Sequence, residues 1–152
     1  MKTFRSELRT ILFSLRNCPW AAQAPVQNVI TEYEHLDNAS STPTQTRRVS
    51  LQIFHASRAI DSFLKQLANH EAHKRGRPIN HKLTLGSSLK AIQNHKVGGR
   101  TFAGPTVTDI KKITDDRNLY LHSANYFPQD VVIQNFLSRT IRAIQEAVSF
   151  PP

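Results

Sequence analysis

The sequence predicts an all-α bundle of about five helices, and two observations lead to that prediction. Apolar residues recur at three- and four-residue spacing through most of the chain. No segment of useful length alternates apolar and polar residues as a half-buried strand would. The length of 152 residues fits a single domain, and 39% apolar with 20% charged residues is typical of a chain that folds around a core.

Residues 1–45 are expected to supply an N-terminal helix and a connecting segment. Residues 2–17 end just before Pro19, which lacks the amide hydrogen that a helix interior needs. Residues 19–37 are ambiguous and suit a short helix, and the polar stretch 38–46 predicts a loop. The apolar face of the first helix is predicted to be Phe4, Leu8, Ile11, Leu12 and Leu15, and that of the short helix Val26, Val29, Ile30 and Tyr33.

Residues 47–149 are expected to form the main bundle. The range 47–72 has the longest apolar stripe, and the basic segment 73–82 predicts a loop because Gly76 and Pro78 disfavour a helix. A short helix follows. The apolar residues predicted to face inward in these two helices are Val49, Ile53, Ala56, Ile60, Phe63, Leu64, Leu67, Leu85, Leu89 and Ile92.

The last part of the chain predicts one more loop and two more helices. Thr106 or Thr108 is expected to cap a helix that ends near His122, and Pro128 suits the first position of the final helix. The loop before them is predicted from Gly98, Gly99, Gly104 and Pro105, and the inward face of the final helix from Val132, Phe136, Ile141, Ile144 and Val148.

Composition limits the functional classes. The net charge of +9 and the isoelectric point near 10.2 favour a polyanionic partner. One cysteine, Cys18, excludes a disulfide framework and a multi-cysteine zinc site. No stretch is apolar enough to span a membrane or to serve as a signal peptide, so we expect a cytoplasmic protein.

Motifs for cofactors and metals are missing from the sequence. It contains neither G-x-G-x-x-G nor a P-loop, and no H-E-x-x-H. His70 and His73, with Glu71 between them, have no evident third ligand. We therefore expect no cofactor and no metal.

The segment Asp115 to His122 reads DDRNLYLH and contains R-N-x-x-x-H. This pattern resembles the R-x(4–6)-H signature of the HEPN superfamily, the small helical domains of many toxin, defence and CRISPR ribonucleases. The helix order also resembles that family, because the motif lies near the end of the penultimate long helix. Arg48 to His55, at the start of a predicted helix, and Arg75 to His81, in a predicted loop, match the spacing too, but neither arginine is followed by an asparagine.

The resemblance covers residues 47–149 and implies a metal-independent endoribonuclease acting as a toxin or defence effector. RNA supplies its own 2′-hydroxyl nucleophile, so such an enzyme needs a proton-transfer group and a cation for the developing phosphorane charge. We expect His122 to move protons, Arg117 to stabilise charge and Asn118 to position. Asp115 or Asp116 is expected to hold the guanidinium.

The same resemblance implies partners. HEPN nucleases pair two motifs across a dimer, so we expect a homodimer with the 106–123 helix at its interface. An antitoxin or a nucleotidyltransferase is a common companion in the family. RNA is expected to approach along basic residues, namely Lys74, Arg75, Arg77, Lys82 and Arg100.

Other interpretations stay open. The motif also fits a surface Arg–Asp pair with a histidine placed at a helix C-terminus. The chain would then be a non-catalytic HEPN-like module that binds a protein partner, a nucleotide or RNA. A DNA-binding regulator is less favoured, because no compact helix-turn-helix is evident.

Overall fold

The computed structural model describes residues 4–21, 24–122 and 128–152, without the side chains of residues 24, 25 and 122. The described residues form six helices and no strand, which confirms the all-α class. The helices are α1 (Phe4–Asn17), α2 (Ala24–Ala39), α3 (Gln45–Lys74), α4 (Leu85–His95), α5 (Gly104–His122) and α6 (Asp130–Ala147). None of them is long and apolar enough to cross a membrane.

Helix α3 is the centre of the bundle. Its 30 residues span about 45 Å at 1.5 Å per residue, and it contacts α2, α4, α5 and α6. Helix α1 packs against α2 and α6, so the N-terminal segment contributes to the same core as the rest. The apolar faces predicted for α1, α2, α3 and α4 are all buried.

The segment that follows α1 packs against residues near the end of the chain. The Trp20 indole N–H donates to the Phe150 carbonyl at 2.7 Å, and Trp20 is fully buried with its ring edge against His70. The contact places the C-terminal residues against the segment that follows α1. A buried indole N–H needs such a partner, because leaving it unpaired would be costly.

Helix α5 begins at Gly104, two residues before the expected Thr106 cap, so the prediction that Gly104 and Pro105 belong to the loop is wrong. The cap comes from another helix: Glu146 of α6 accepts a 2.7 Å hydrogen bond from the Ala103 amide and one from the Thr106 hydroxyl. A carboxylate at a helix N-terminus satisfies free amides and favours the helix dipole. Sequence spacing could not reveal a cap supplied from 43 residues away.

Helix α6 differs from expectation in its first residue and in one inward position. Pro128 precedes the helix, which begins at Asp130 after Gln129 as its N-cap. Val132, predicted to face inward, is 38% exposed, and the neighbouring Ile133 is buried in its place. The other four predicted positions, Phe136, Ile141, Ile144 and Val148, are buried.

Candidate active site

Arg117 lies on the side of α5 that faces α3. Its Nη1 donates to Asp61 Oδ1, and the arginine side chain is only 14% exposed while that of Asp61 is 42% exposed. Burial raises the pKa of Asp61, and the charge and hydrogen bond of Arg117, followed by the charge of Lys65, oppose that rise. A carboxylate of the central helix therefore fixes the direction of the motif arginine.

The expectation that Asp115 or Asp116 holds Arg117 is wrong. Asp116 is buried and pairs with Lys112 at 2.7 Å and with Arg139 at 3.5 Å, and Asp115 is exposed. Residues one or two positions apart on a helix do not share a face. Asp116 and Arg117 accordingly point to different neighbours, α6 and α3.

Arg117 and Asn118 line a groove of about 470 Å³, here called the motif groove. Its walls come from α3, α5 and the start of α4, where Thr84 and Ser87 form a capping box. Three cationic side chains and one carboxylate line the groove, so it favours an anion. Its lining residues are Phe54, Ser57, Arg58, Asp61, Ser62, Lys65, Leu83, Thr84, Leu85, Arg117, Asn118 and Leu121.

Ser57 adds an unused hydroxyl to this groove. The residue is 4% exposed, and its Oγ has no hydrogen-bond partner among the described residues. A serine inside a helix ordinarily donates to the carbonyl four residues earlier, as Ser50 does to Thr46 at 3.0 Å. Ser57, Asp61 and Lys65 follow at four-residue spacing, so they share the face of α3 that lines the groove.

The third motif residue, His122, is the last residue of α5. Its side chain lies outside the described part of the chain. The structure therefore brings Arg117 and Asn118 into one groove and places position 122 one helical turn after Asn118.

A second charged cluster lies beside the groove and was not anticipated. Glu32 of α2 accepts from Arg58 Nε at 2.7 Å through Oε1 and contacts His55 Nδ1 at 2.7 Å through Oε2. Arg58 also lies over the Phe54 ring, 5.3 Å from its centroid. Arg58 thereby connects this cluster to the wall of the motif groove, whereas His55 is not part of the wall. No sequence signal links α2 to α3 in this way.

The predicted basic residues lie elsewhere. Arg75 and Arg77 line a separate cavity, formed by the end of α3, the loop 75–83 and the end of α4, here called the loop pocket. Lys74 Nζ lies 3.5 Å from the Pro152 carbonyl, and Arg100 donates to the Ser149 carbonyl at 3.0 Å. Lys82 is exposed. Leu83 lines both the motif groove and the loop pocket.

The histidines and the cysteine that could bind a metal or act as a nucleophile have other contacts in the described part of the chain. No group of three metal-ligating side chains occurs there. His70 packs on Trp20, and burial lowers its pKa, while Glu71 pairs with Arg75. Cys18 donates to the Leu15 carbonyl at 3.2 Å, and burial raises its pKa, as suits a packing residue rather than a thiolate nucleophile.

Comparisons with family models, with curated proteins and with solved structures return no match to this chain.

Proposed function

We propose that this protein is a metal-independent endoribonuclease of HEPN type that acts through the motif groove. The observation that carries the proposal is Arg117, which is held by Asp61 in a cationic groove beside Asn118 and on the same helix as His122. A partly buried, oriented guanidinium at a concave anion site is suited to stabilising the charge that develops in phosphoryl transfer.

The geometry of Arg117 leaves donors for a substrate. A guanidinium has five N–H groups, and the hydrogen bond to Asp61 involves Nη1 alone. Among the described residues no other hydrogen-bond acceptor is assigned to the guanidinium, so its remaining N–H groups can serve the non-bridging oxygens of a phosphate. Because the side chain is fixed before substrate arrives, little reorganisation is needed as charge develops.

The chemical step is a transesterification. The 2′-oxygen forms a bond to phosphorus while its proton passes to a base, and the P–O5′ bond breaks while the departing oxygen takes a proton. The products are a 2′,3′-cyclic phosphate and a 5′-hydroxyl. In this proposal His122 carries out one proton transfer and Asn118 positions the reacting groups.

One His122 in each protomer accounts for one of the two proton transfers. The second would come from the His122 of another copy, so the proposal includes a homodimer in which two motifs meet. Leu119 and Leu121 on α5 are 46% and 51% exposed, and Val131 and Val132 at the start of α6 are exposed as well. Leu119 and Val132 line one surface depression. Tyr120 packs edge-on against Phe136, with ring centroids 5.5 Å apart. Tyr120 also lines that depression, so the apolar contact surface would consist of Leu119, Tyr120 and their α6 neighbours.

The test is cleavage of single-stranded RNA in the presence of EDTA. We expect cutting to persist, to leave a 2′,3′-cyclic phosphate, and to be abolished in His122→Ala. The matched control is His81→Ala, an exposed histidine from a rejected match to the pattern, which should cut as wild type does. An RNA with 2′-deoxyribose at the scissile position should resist cleavage.

The second candidate is a non-catalytic helical module that binds a protein, such as an antitoxin or a nucleotidyltransferase. The exposed apolar residues of α5 and α6 favour it, because they would equally suit a different chain. RNA that is left intact by a correctly folded protein would decide against the nuclease and in favour of a non-catalytic module.

A further inference from the structure

The motif groove has an apolar part as well as a charged part. Phe54 of α3 is 45% exposed and Leu121 of α5 is 51% exposed, and both line the groove. They are the two exposed large apolar residues in its described lining. Phe54 and Leu121 belong to the same two helices that bear Asp61 and Arg117. The groove therefore offers apolar surface from both of these helices beside its arginine.

Phe54 shares one face of α3 with the charged residues of the groove. Arg58, Asp61 and Lys65 follow it at intervals of four, three and four residues, the spacing that puts side chains on one side of a helix. Asp61 holds Arg117, and the seven residues from Phe54 to Asp61 span about 10 Å along the helix axis. The aromatic ring and the motif arginine consequently belong to one continuous surface.

Neighbouring side chains fix the orientation of the Phe54 ring. The His55 ring meets it edge-on, with centroids 5.1 Å apart and planes at 76°, and Arg58 Cζ lies 5.3 Å from its centroid. Both neighbours are held in turn by Glu32, which is 13% exposed and contacts each of them at 2.7 Å. A guanidinium covers one face of a ring, and the exposure of Phe54 leaves ring surface open to a ligand. Because the ring is held in place beforehand, stacking on it costs less entropy.

A ligand that uses this whole surface combines flat apolar rings with negative charge. Arg58, Lys65 and Arg117 supply three cations against the one carboxylate of Asp61, and Phe54 supplies an aromatic face. A single strand of RNA has both properties, because its bases are accessible flat rings and its phosphates are anionic. A duplex does not offer them together, since its bases are stacked on one another inside the helix.

We propose that Phe54 and Leu121 form a subsite for the base next to the scissile phosphate of single-stranded RNA, with the base stacked on the Phe54 ring and the phosphate at Arg117. This inference rests on the proposed function, which places RNA in the motif groove, and it adds the residues that select the substrate. Stacking tolerates every base, but a purine has the larger ring surface. The enzyme should therefore cut single strands beside purines in preference to pyrimidines.

Binding to the subsite is measured with a strand that cannot be cut. The probe is a short oligonucleotide of 2′-O-methyl uridines with one 2-aminopurine, a fluorescent base whose emission falls when it stacks on an aromatic ring. We expect the wild-type protein to quench the probe, and Phe54→Ala to bind it about tenfold more weakly and without the quenching. Phe54→Trp should retain both. Phe13→Ala, which removes a 70% exposed phenylalanine from α1, is the matched control and should bind as wild type does.

A strand with an abasic site in place of the 2-aminopurine separates stacking from an indirect effect of the substitution. The wild-type protein should bind this strand more weakly than the probe, whereas Phe54→Ala should bind the two strands alike. Phe54→Leu keeps an apolar side chain without a ring, and we expect it to behave as Phe54→Ala does. The leucine variant also decides the matter if the alanine variant does not fold.

Cleavage of a uridine strand that contains one adenosine tests the selection of substrate. The wild-type protein should cut beside the adenosine, and Phe54→Ala should lose this preference, seen as a smaller ratio of kcat/KM for this strand to kcat/KM for an all-uridine strand. A protein that binds and quenches the probe but cuts no RNA supports the stacking site and contradicts the nuclease.

Cutting of RNA without quenching of the probe overturns the subsite and leaves the nuclease intact. The subsite is also wrong if the wild-type protein does not bind the probe, or if folded Phe54→Ala and Phe54→Leu quench it as wild type does. His122→Ala should quench the probe normally, so loss of cleavage and loss of stacking are separate results.

Discussion

Arg117 of α5 donates a hydrogen bond to Asp61 of α3, 56 residues earlier in the chain. Helix α5 packs mainly on α6 and less on α3, and this ion pair links α5 to α3 across the motif groove. The ion pair orients the arginine, and the charge of Arg117 lowers the pKa of Asp61. The pKa of Asp61 therefore reports whether Arg117 is in place in the groove.

We expect Asp61 to titrate above an ordinary aspartate, which has a pKa of about 3.9, because burial opposes its charge. Arg117→Gln should raise that pKa further, and Lys65→Gln should raise it less, since Arg117 is the stronger of the two opposing influences. The measurement is the pH dependence of the Asp61 side-chain carboxyl carbon signal in nuclear magnetic resonance spectra.

The same shift has a consequence for stability with a definite sign. A folded-state pKa above the unfolded value means that the folded protein binds more protons. The contribution of Asp61 to folding is therefore most favourable below the unfolded pKa and is lost as pH rises through the folded pKa. Asp61→Asn should flatten this part of the pH profile of the unfolding free energy, and a profile unchanged from wild type would contradict a raised folded-state pKa for Asp61.

Arg117 and the basic loop should differ in kinetics. Arg117→Ala is expected to leave RNA binding nearly unchanged and to depress turnover, because its contacts strengthen as charge develops on phosphorus. Arg117→Lys, which keeps the charge but loses the planar fork, should recover little of that turnover. The measurement is single-turnover cleavage alongside equilibrium RNA binding.

Replacing Arg75, Arg77 and Lys82 with neutral residues should instead weaken RNA binding and flatten its dependence on salt. Each lost phosphate contact should reduce the log–log slope by roughly 0.7 for a single strand. If Arg117→Ala costs affinity alone, and the loop variant changes neither affinity nor the salt slope, then the motif arginine is a phosphate anchor and the basic loop is a solvated surface. The non-catalytic module would then be the better description.

The exposed apolar residues of α5 predict how the protein assembles. Leu119→Glu should convert a dimer to a monomer and reduce cleavage, since a charge placed in an apolar contact cannot be buried cheaply. Phe13→Glu is the matched control, because Phe13 is 70% exposed on α1, away from α5. Size-exclusion chromatography with light scattering at tens of micromolar should distinguish the two variants. If the wild-type protein is a monomer at that concentration, the proposed site made of two motifs is wrong.

Helical periodicity was sufficient for the all-α class and for the buried faces of α1 to α4, because each of these helices buries one regular stripe. It did not identify the buried residues outside the helices, such as Trp20, Phe102 and Phe150. It failed where the determining contact comes from a distant helix. Glu146 moves the start of α5 to Gly104, and Asp61 takes the place of the local aspartates as partner of Arg117. Ser57 stayed hidden within an apolar stripe, where a small polar residue does not disturb the pattern. Local spacing contains no information about such partners.

Three glycines predict a graded series of stabilities that tests whether Pro151 packs on the turn from Val97 to Arg100. Gly98 has φ +56, and a Cβ there would lie 2.3 Å from Pro151 Cγ and 2.6 Å from the Pro151 carbonyl oxygen. Gly99 has φ +79 with open space around it, and Gly86 in α4 has neither positive φ nor a close neighbour.

Gly99→Ala should therefore lose about 1–3 kcal/mol of unfolding free energy from backbone strain, and Gly98→Ala should lose more, because it also displaces the C-terminal residues. Gly86→Ala should gain up to about 1 kcal/mol as a helix-favouring substitution. Removing residues 151–152 should bring Gly98→Ala close to Gly99→Ala, since strain alone then remains. Urea denaturation of the variants measures the order. Equal losses at Gly98 and Gly99 in the full chain would show that Pro151 does not pack on the turn.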